Sequence, residues 1–158
     1  MKSHKEKVST FALTMKNIII QKYEEFNKFG AELGLHFEVE APGIVNHRLT
    51  ITQKHLATPV AAHGGVIAAM MDAVLGVAAL SVSSESMNIV STVEFKINYF
   101  NPCLLGDELV GESVIERAGK RIIIVSGTIK AANRNNEIIA KAMGTFNAYP
   151  AMKVGLET

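Results

Sequence analysis

One acidic residue, Asp72, stands near the middle of the most apolar stretch of the chain, Val66 to Val82. A carboxylate among apolar side chains is costly unless it is hydrogen-bonded, hydrated or neutralised. Two readings account for it. It is a structural acid bonded to neighbouring backbone, or it is a general base or nucleophile set in a cleft. The stretch is rich in Ala, Met and Leu and too long for one buried strand, so it predicts a helix over Gly64–Ser83. On that helix Asp72 shares a face with Gly65, Ala68, Ala69, Gly76 and Ala79, while Val66, Met70, Val77 and Leu80 fall on other faces. A trough of small side chains with one acid at its centre lets another backbone, or a slender ligand, come close.

Gly64 and Gly65 open the same helix. The first N–H groups of a helix lack intrahelical partners and carry a partial positive charge. Without a Cβ in the way, a substrate can reach them, and they can serve as an oxyanion hole for acyl transfer. A glycine pair can equally do no more than turn the chain into the helix. Spacing adds a constraint. Gly64 and Asp72 are eight positions apart, about 12 Å of helical rise, whereas an oxyanion donor and an attacking group must both lie within about 3 Å of one reacting centre. Two antiparallel copies of the helix satisfy this, the glycine end of one meeting Asp72 of the other about a two-fold axis.

No other cluster competes with this one. His4, His36, His47, His55 and His63 show no ligand spacing, so no metal or other cofactor is expected. Cys103 is the only cysteine, has no positioned base, and permits no intramolecular disulfide, which suits a reducing, cytoplasmic compartment. The net charge of +1 gives no electrostatic reason for a nucleic acid or anionic membrane partner. The N-terminal charges are not followed by an unbroken apolar run, so no targeting segment is read. The Val66–Val82 run is short and carries a charge at its centre, so no membrane span is expected.

The 158 residues suit one domain, and an apolar fraction of 48% suffices for a core. Residues 1–8 read as a polar tail, 9–150 as the domain and 151–158 as a C-terminal tail. From Ser9, Phe11, Met15, Ile18, Ile19, Phe26, Phe29 and Leu33 recur at helical spacing, with Gly34 as the stop. Leu35, Phe37 and Val39 alternate with polar residues and predict a strand; Pro42-Gly43 turns it into a second strand over Ile44–Thr52. After the long helix come four strands, Asn88–Phe100, Asp107–Arg117, Arg121–Ala132 and Ile138–Tyr149. The clearest alternation sets Val93, Phe95, Ile97 and Tyr99 against Thr92, Glu94, Lys96 and Asn98. The order predicts an α+β fold, an antiparallel sheet wrapped around a long central helix with an extra N-terminal helix. A helix apolar on nearly all sides needs cover on nearly all sides, from the sheet and from the first helix or a second subunit.

His63-Gly64-Gly65 followed by Val-Ile-Ala-Ala-Met-Met-Asp72 resembles the signature of the PaaI-like branch of the hotdog-fold thioesterases. Thr92-Val93-Glu94-Phe95, Asn101-Pro102, Gly106-Asp107, Gly119-Lys120 and Gly144-Thr145-Phe146 extend the resemblance over roughly residues 35 to 148. It implies a hotdog fold and hydrolysis of acyl-CoA thioesters. Asp72 aligns with the family's general base or nucleophile, and the Gly64 N–H with the donor that polarises the thioester carbonyl, the two coming from different protomers of a dimer or dimer of dimers. Thr92 stands where the family often has a Ser or Thr that positions the attacking water. His63 stands where a histidine holds the loop or approaches the thioester, although a histidine before a helix can also simply cap it.

Coenzyme A carries phosphates, and Arg117, Lys120 and Arg121 cluster at one turn as candidates to meet them; a solvated hairpin tip is the plain alternative. Gly65 and Tyr99 are candidates for substrate contact, and Tyr99, Phe100, Met70 and Met71 for an acyl tunnel unless they are core. One departure from the family is clear. Many relatives carry Asn six residues before the histidine and Gly three before it, where this chain has Ala57 and Val60. His55 and Thr58 are the nearby polar residues. The departure keeps a non-catalytic acyl-CoA binder in view. A hotdog dehydratase or hydratase would pair a catalytic histidine with an acid in a different local motif, which the sequence lacks.

Overall fold

A computed structural model describes residues 18–156. A first helix, α1, covers residues 18–26, and a second, α2, spans Lys28–Leu33. The sequence predicts one continuous helix here, and the structure corrects it. The Asn27 side chain accepts a hydrogen bond from the Gly30 N–H (3.0 Å) and caps a new helix. Phe26 and Phe29 lie on either side of this break and are exposed, not core. The predicted stop at Gly34 is present as a left-handed C-cap. The part of the predicted helix before residue 18, and the predicted tail 1–8, lie outside the described residues.

Strands β1 (His36–Ala41) and β2 (Ile44–Thr50) form the expected hairpin, and α3 occupies Gly64–Ser83. Strands β3 (Asn88–Tyr99), β4 (Glu108–Ala118), β5 (Ile122–Ala131) and β6 (Glu137–Pro150) complete one antiparallel sheet in the order β1-β2-β4-β5-β6-β3. The layout is the α+β arrangement that the sequence predicts. By length and composition α3 could cross a membrane, but it is the core helix, with the sheet curled around it. Tight approach makes that curl possible. A Cβ on Gly111 would sit 2.3 Å from a Val74 methyl, and one on Gly127 2.8 Å from a Leu75 methyl, so these strand glycines let the sheet close on the helix. Met70 and Met71 are fully buried beneath the sheet, Met70 against the Gly111 site and Met71 against Gly127, so they are core and line no tunnel.

The sheet leaves one side of α3 open. Gly65, Ala68, Ala69, Asp72, Ala73 and Gly76 are exposed or half-buried, while Met70, Met71, Val74, Leu75 and Val77 to Leu80 are buried. The second half of the helix is covered by α1, where Ile19 packs with Leu80 and Ala151. The stretch from residue 151 is no loose tail in the described part. Ala151–Val154 forms a 3-10 turn, and Leu156 returns to the same small cluster.

His47, on β2, is fully buried, stacks in a tilted arrangement on Phe37 at 5.8 Å, and has no hydrogen-bond partner at either ring nitrogen. Burial lowers its pKa to about 4; the Ala73 backbone opposes this in part without reaching hydrogen-bond geometry. The unfolded chain takes up this proton near pH 6.5 and the folded chain only near 4. The protonation-linked penalty of His47 is therefore absent above pH 6.5 and removes about 3 kcal/mol of stability as the pH falls from 6.5 to 4. Urea unfolding of wild type and His47→Leu at pH 7 and pH 5 checks this: wild type is expected to lose more stability on acidification than the variant.

Candidate active site

Asp72 projects from the open side of α3 into a cleft of about 260 Å³, with Gly76 and Leu80 one and two turns further along. The opposite wall is β3, from Ile89 to Thr92, and Phe146 of β6; Tyr23 of α1 and Leu156 close the remaining sides. The Thr92 hydroxyl donates to Asp72 Oδ1 at 2.8 Å, which fixes the carboxylate and leaves Oδ2 for another partner. The lining is otherwise largely apolar. Leu80, which helical spacing puts on another face, nevertheless lines the same cleft as Asp72, at its far end.

Thr92 reaches the acid through an irregularity in β3. Strict alternation places it opposite Phe95 and Ile97, pointing away from the helix. A β-bulge between Thr92 and Glu94 inserts one residue, so Thr92 and Phe95 both face α3 although they are three positions apart. Val93 is the extra residue and is exposed. β3 is also an edge strand: it pairs with β6 on one side, and its other edge is unpaired among the described residues.

The helix start forms a second cleft, of about 310 Å³, lined by Gly64, Tyr99, Phe100 and the segment Asn101 to Cys103. His63 is the N-cap, its Nδ1 accepting the Gly65 N–H at 2.8 Å. That ring needs the space a glycine leaves, since a Cβ on Gly65 would lie 2.9 Å from Nδ1. Gly65 thus gives room for the cap, and its N–H is spent. The Gly64 N–H has no acceptor among the described residues, and the Tyr99 hydroxyl holds the Gly64 carbonyl at 2.9 Å. Tyr99 and Phe100 therefore belong with Gly64, and Asp72 stands in the other cleft. The loop behind them is braced by buried Asp107, which accepts from the Leu104 N–H at 2.7 Å and from Arg134 Nε and Nη2 at 2.8 Å each.

Arg117, Lys120 and Arg121 lie exposed around the β4–β5 turn and line neither cleft. The residues nearest the family's missing Asn do not replace it. His55 is buried, its Nδ1 taking the Thr52 N–H (3.0 Å) and its Nε2 meeting the Leu33 carbonyl (2.8 Å). Thr58 caps its own turn by accepting the Ala61 N–H. Cys103 is buried, and burial with Asp107 nearby pushes its thiol up to about 12, which disfavours a thiolate. Tyr23, Ile89, Val90, Ser91 and Leu156 were not singled out in the sequence. Tyr23 is pushed above the ordinary phenol value by burial and by the Asp72 charge.

A sheet curled on one helix defines a hotdog fold, and this one holds an acid in one cleft and, in a second, a helix-start N–H without an acceptor among the described residues. Residues 61–138 match the family model described as the thioesterase superfamily. The match takes in just under half of the chain, which over this stretch is similar to that superfamily. The Pseudomonas aeruginosa protein PA0474 is 27% identical over 99 residues, 63% of this chain and 71% of that one. The structure of the Escherichia coli PaaI protein of the phenylacetic acid degradation operon aligns with a TM-score of 0.72 at 17% identity, covering 85% of this chain and 96% of that one. A hypothetical thioesterase protein of Streptococcus pneumoniae, solved with coenzyme A, aligns with a TM-score of 0.71 at 18% identity, covering 81% and 97%. Thioester hydrolysis is the reaction class that accompanies this family.

Proposed function

We propose that the protein hydrolyses acyl-CoA thioesters in the cytoplasm as a dimer or dimer of dimers, with Asp72 as general base or nucleophile. The observation that carries this reading is the carboxylate fixed by Thr92 at the head of an apolar cleft, beside an unpaired edge strand. Within one chain the Gly64 N–H lies in the other cleft, about 12 Å along the helix. A two-fold partner laid against the open stripe of α3 and the edge of β3 would bring Gly64 of the partner subunit to Asp72. The small residues of that stripe permit the close approach, and strand-to-strand pairing would satisfy the free edge.

The thioester carbonyl would then accept the partner's Gly64 N–H. In one route Asp72 takes a proton from a water whose oxygen attacks the carbonyl carbon. In the other, Asp72 attacks directly and water cleaves the mixed anhydride. In both, the C–S bond breaks, the acid is released, and the CoA sulfur leaves and is protonated. Neither route calls on a metal. His63 supports the site by capping the helix that presents the donor. A chromogenic thiol reagent tests the reaction: free CoA is expected to appear on mixing with acyl-CoA. No thiol release from short, long or aromatic acyl-CoAs would overturn it.

The exposed cations at the β4–β5 turn are the candidates for the CoA phosphates. Reversing all three (Arg117→Glu, Lys120→Glu, Arg121→Glu) is expected to raise KM for acyl-CoA about tenfold, as suits a few exposed charge contacts, with kcat unchanged. Acyl-pantetheine, which lacks the nucleotide phosphates, is expected to respond little.

A second reading rests on Ala57. Because His55 and Thr58 are committed to local bonds, no side chain of the 55–58 stretch takes the place of the family's Asn. That observation favours a binder that holds acyl-CoA without cleaving it. Tight binding by calorimetry with no thiol released would select it.

A further inference from the structure

We infer that Leu156, near the C-terminus, sets the length of acyl chain this protein accepts. The inference rests on the acyl-CoA reading above and concerns what happens beyond the thioester carbonyl. From Asp72 the cleft continues past Gly76 to Leu80, two turns of helix or about 12 Å. Polar groups stand at its head, Asp72, Ser91 and Thr92, and the far part is apolar, Leu80, Ile89 and Leu156. A carbonyl held at the head would send its alkyl chain down this path, away from the CoA thiol. Leu156 closes the path.

On the other side of Leu156 lies a second hollow of about 440 Å³, lined by Met87, Pro150, Ala151 and Met152. Leu156 borders both spaces and is the wall they share. A reversal of the chain puts it there. After the Ala151–Val154 turn, Gly155 takes a left-handed φ of 73°, and the Gly155 and Leu156 N–H groups return to the Met152 and Ala151 carbonyls. The side chain then packs on Ile19, Leu80 and Ala151. Residue 156 lies outside the 61–138 family match. Its removal joins the two spaces, and its enlargement shortens the first.

Chain-length profiles of kcat/KM from butanoyl-CoA to hexadecanoyl-CoA test this. For wild type the value is expected to rise about fourfold per methylene, the equivalent of about 0.8 kcal/mol of burial, until the chain meets Leu156, and to fall beyond. Leu156→Ala is expected to move the maximum to longer chains and Leu156→Phe to shorter ones. Either shift alone supports the wall, so a misfolded alanine variant leaves the phenylalanine variant to decide. Profiles that superimpose on wild type, with butanoyl-CoA still cleaved, would overturn the role of Leu156 and leave the thioesterase reading standing. No cleavage of any acyl-CoA by wild type would instead remove the reading on which the wall depends.

Discussion

Asp72→Asn is expected to lower kcat for acyl-CoA hydrolysis by about 10²- to 10⁴-fold, the range for losing a positioned acid–base group. The substitution is close to isosteric, and the amide oxygen can still accept the Thr92 hydroxyl, so the fold and the cleft shape persist. What disappears is the ability to take a proton from water or to attack carbon. Because the acid sits on the open side of α3 and not in the packed core, the thermal midpoint is expected to stay near that of wild type. The comparison with Thr92→Val is informative. That change removes the hydroxyl that orients the carboxylate and keeps the carboxylate itself, so a smaller loss is expected. Steady-state thiol release, with circular dichroism as the folding control, measures both. If Asp72→Asn turns over as fast as wild type, the acid is structural and the reaction lies elsewhere.

The elements that build this site differ in how far the sequence reveals them. The α3 boundaries are legible because a long Ala- and Met-rich run between a glycine pair and a serine cluster has no other stable form. The strands that pair through turns are legible for the same local reason. The Asp72 anomaly is legible because a charge among apolar neighbours is rare enough to demand an account. The Thr92 contact is not, because it depends on a bulge, and strict alternation puts the side chain on the wrong face. The split of the N-terminal helix is hidden because Phe26 and Phe29 keep helical spacing across Asn27, and only the side-chain cap reveals the break. Tyr23, Ile89 and Leu156 reach the cleft from elements far apart in sequence, and pattern within any one of them carries no trace of it. His55 and His63 look alike in the sequence; hydrogen bonding separates them, one locked in the body of the protein and the other capping the helix start.

Gly64→Pro is expected to lower kcat by about 10²- to 10³-fold, the usual cost of one lost oxyanion donor. Gly64 is the first helical residue, where proline is well tolerated and its missing N–H breaks no helical bond. The preceding residue, His63, already has the extended backbone (φ −64°, ψ 134°) that a following proline requires. The change therefore deletes the free donor and little else. It also decides whether the two groups belong to one chain or two. Asp72→Asn and Gly64→Pro are each expected to be nearly inactive alone. If the site spans two chains, a mixed dimer holds one site with both groups intact and one with neither. Random reassociation of the two variants makes half of the dimers mixed, so about a quarter of wild-type activity is expected to return. If the acid and the donor serve the same carbonyl from the same chain, every site in the mixture lacks one of them, and mixing restores nothing.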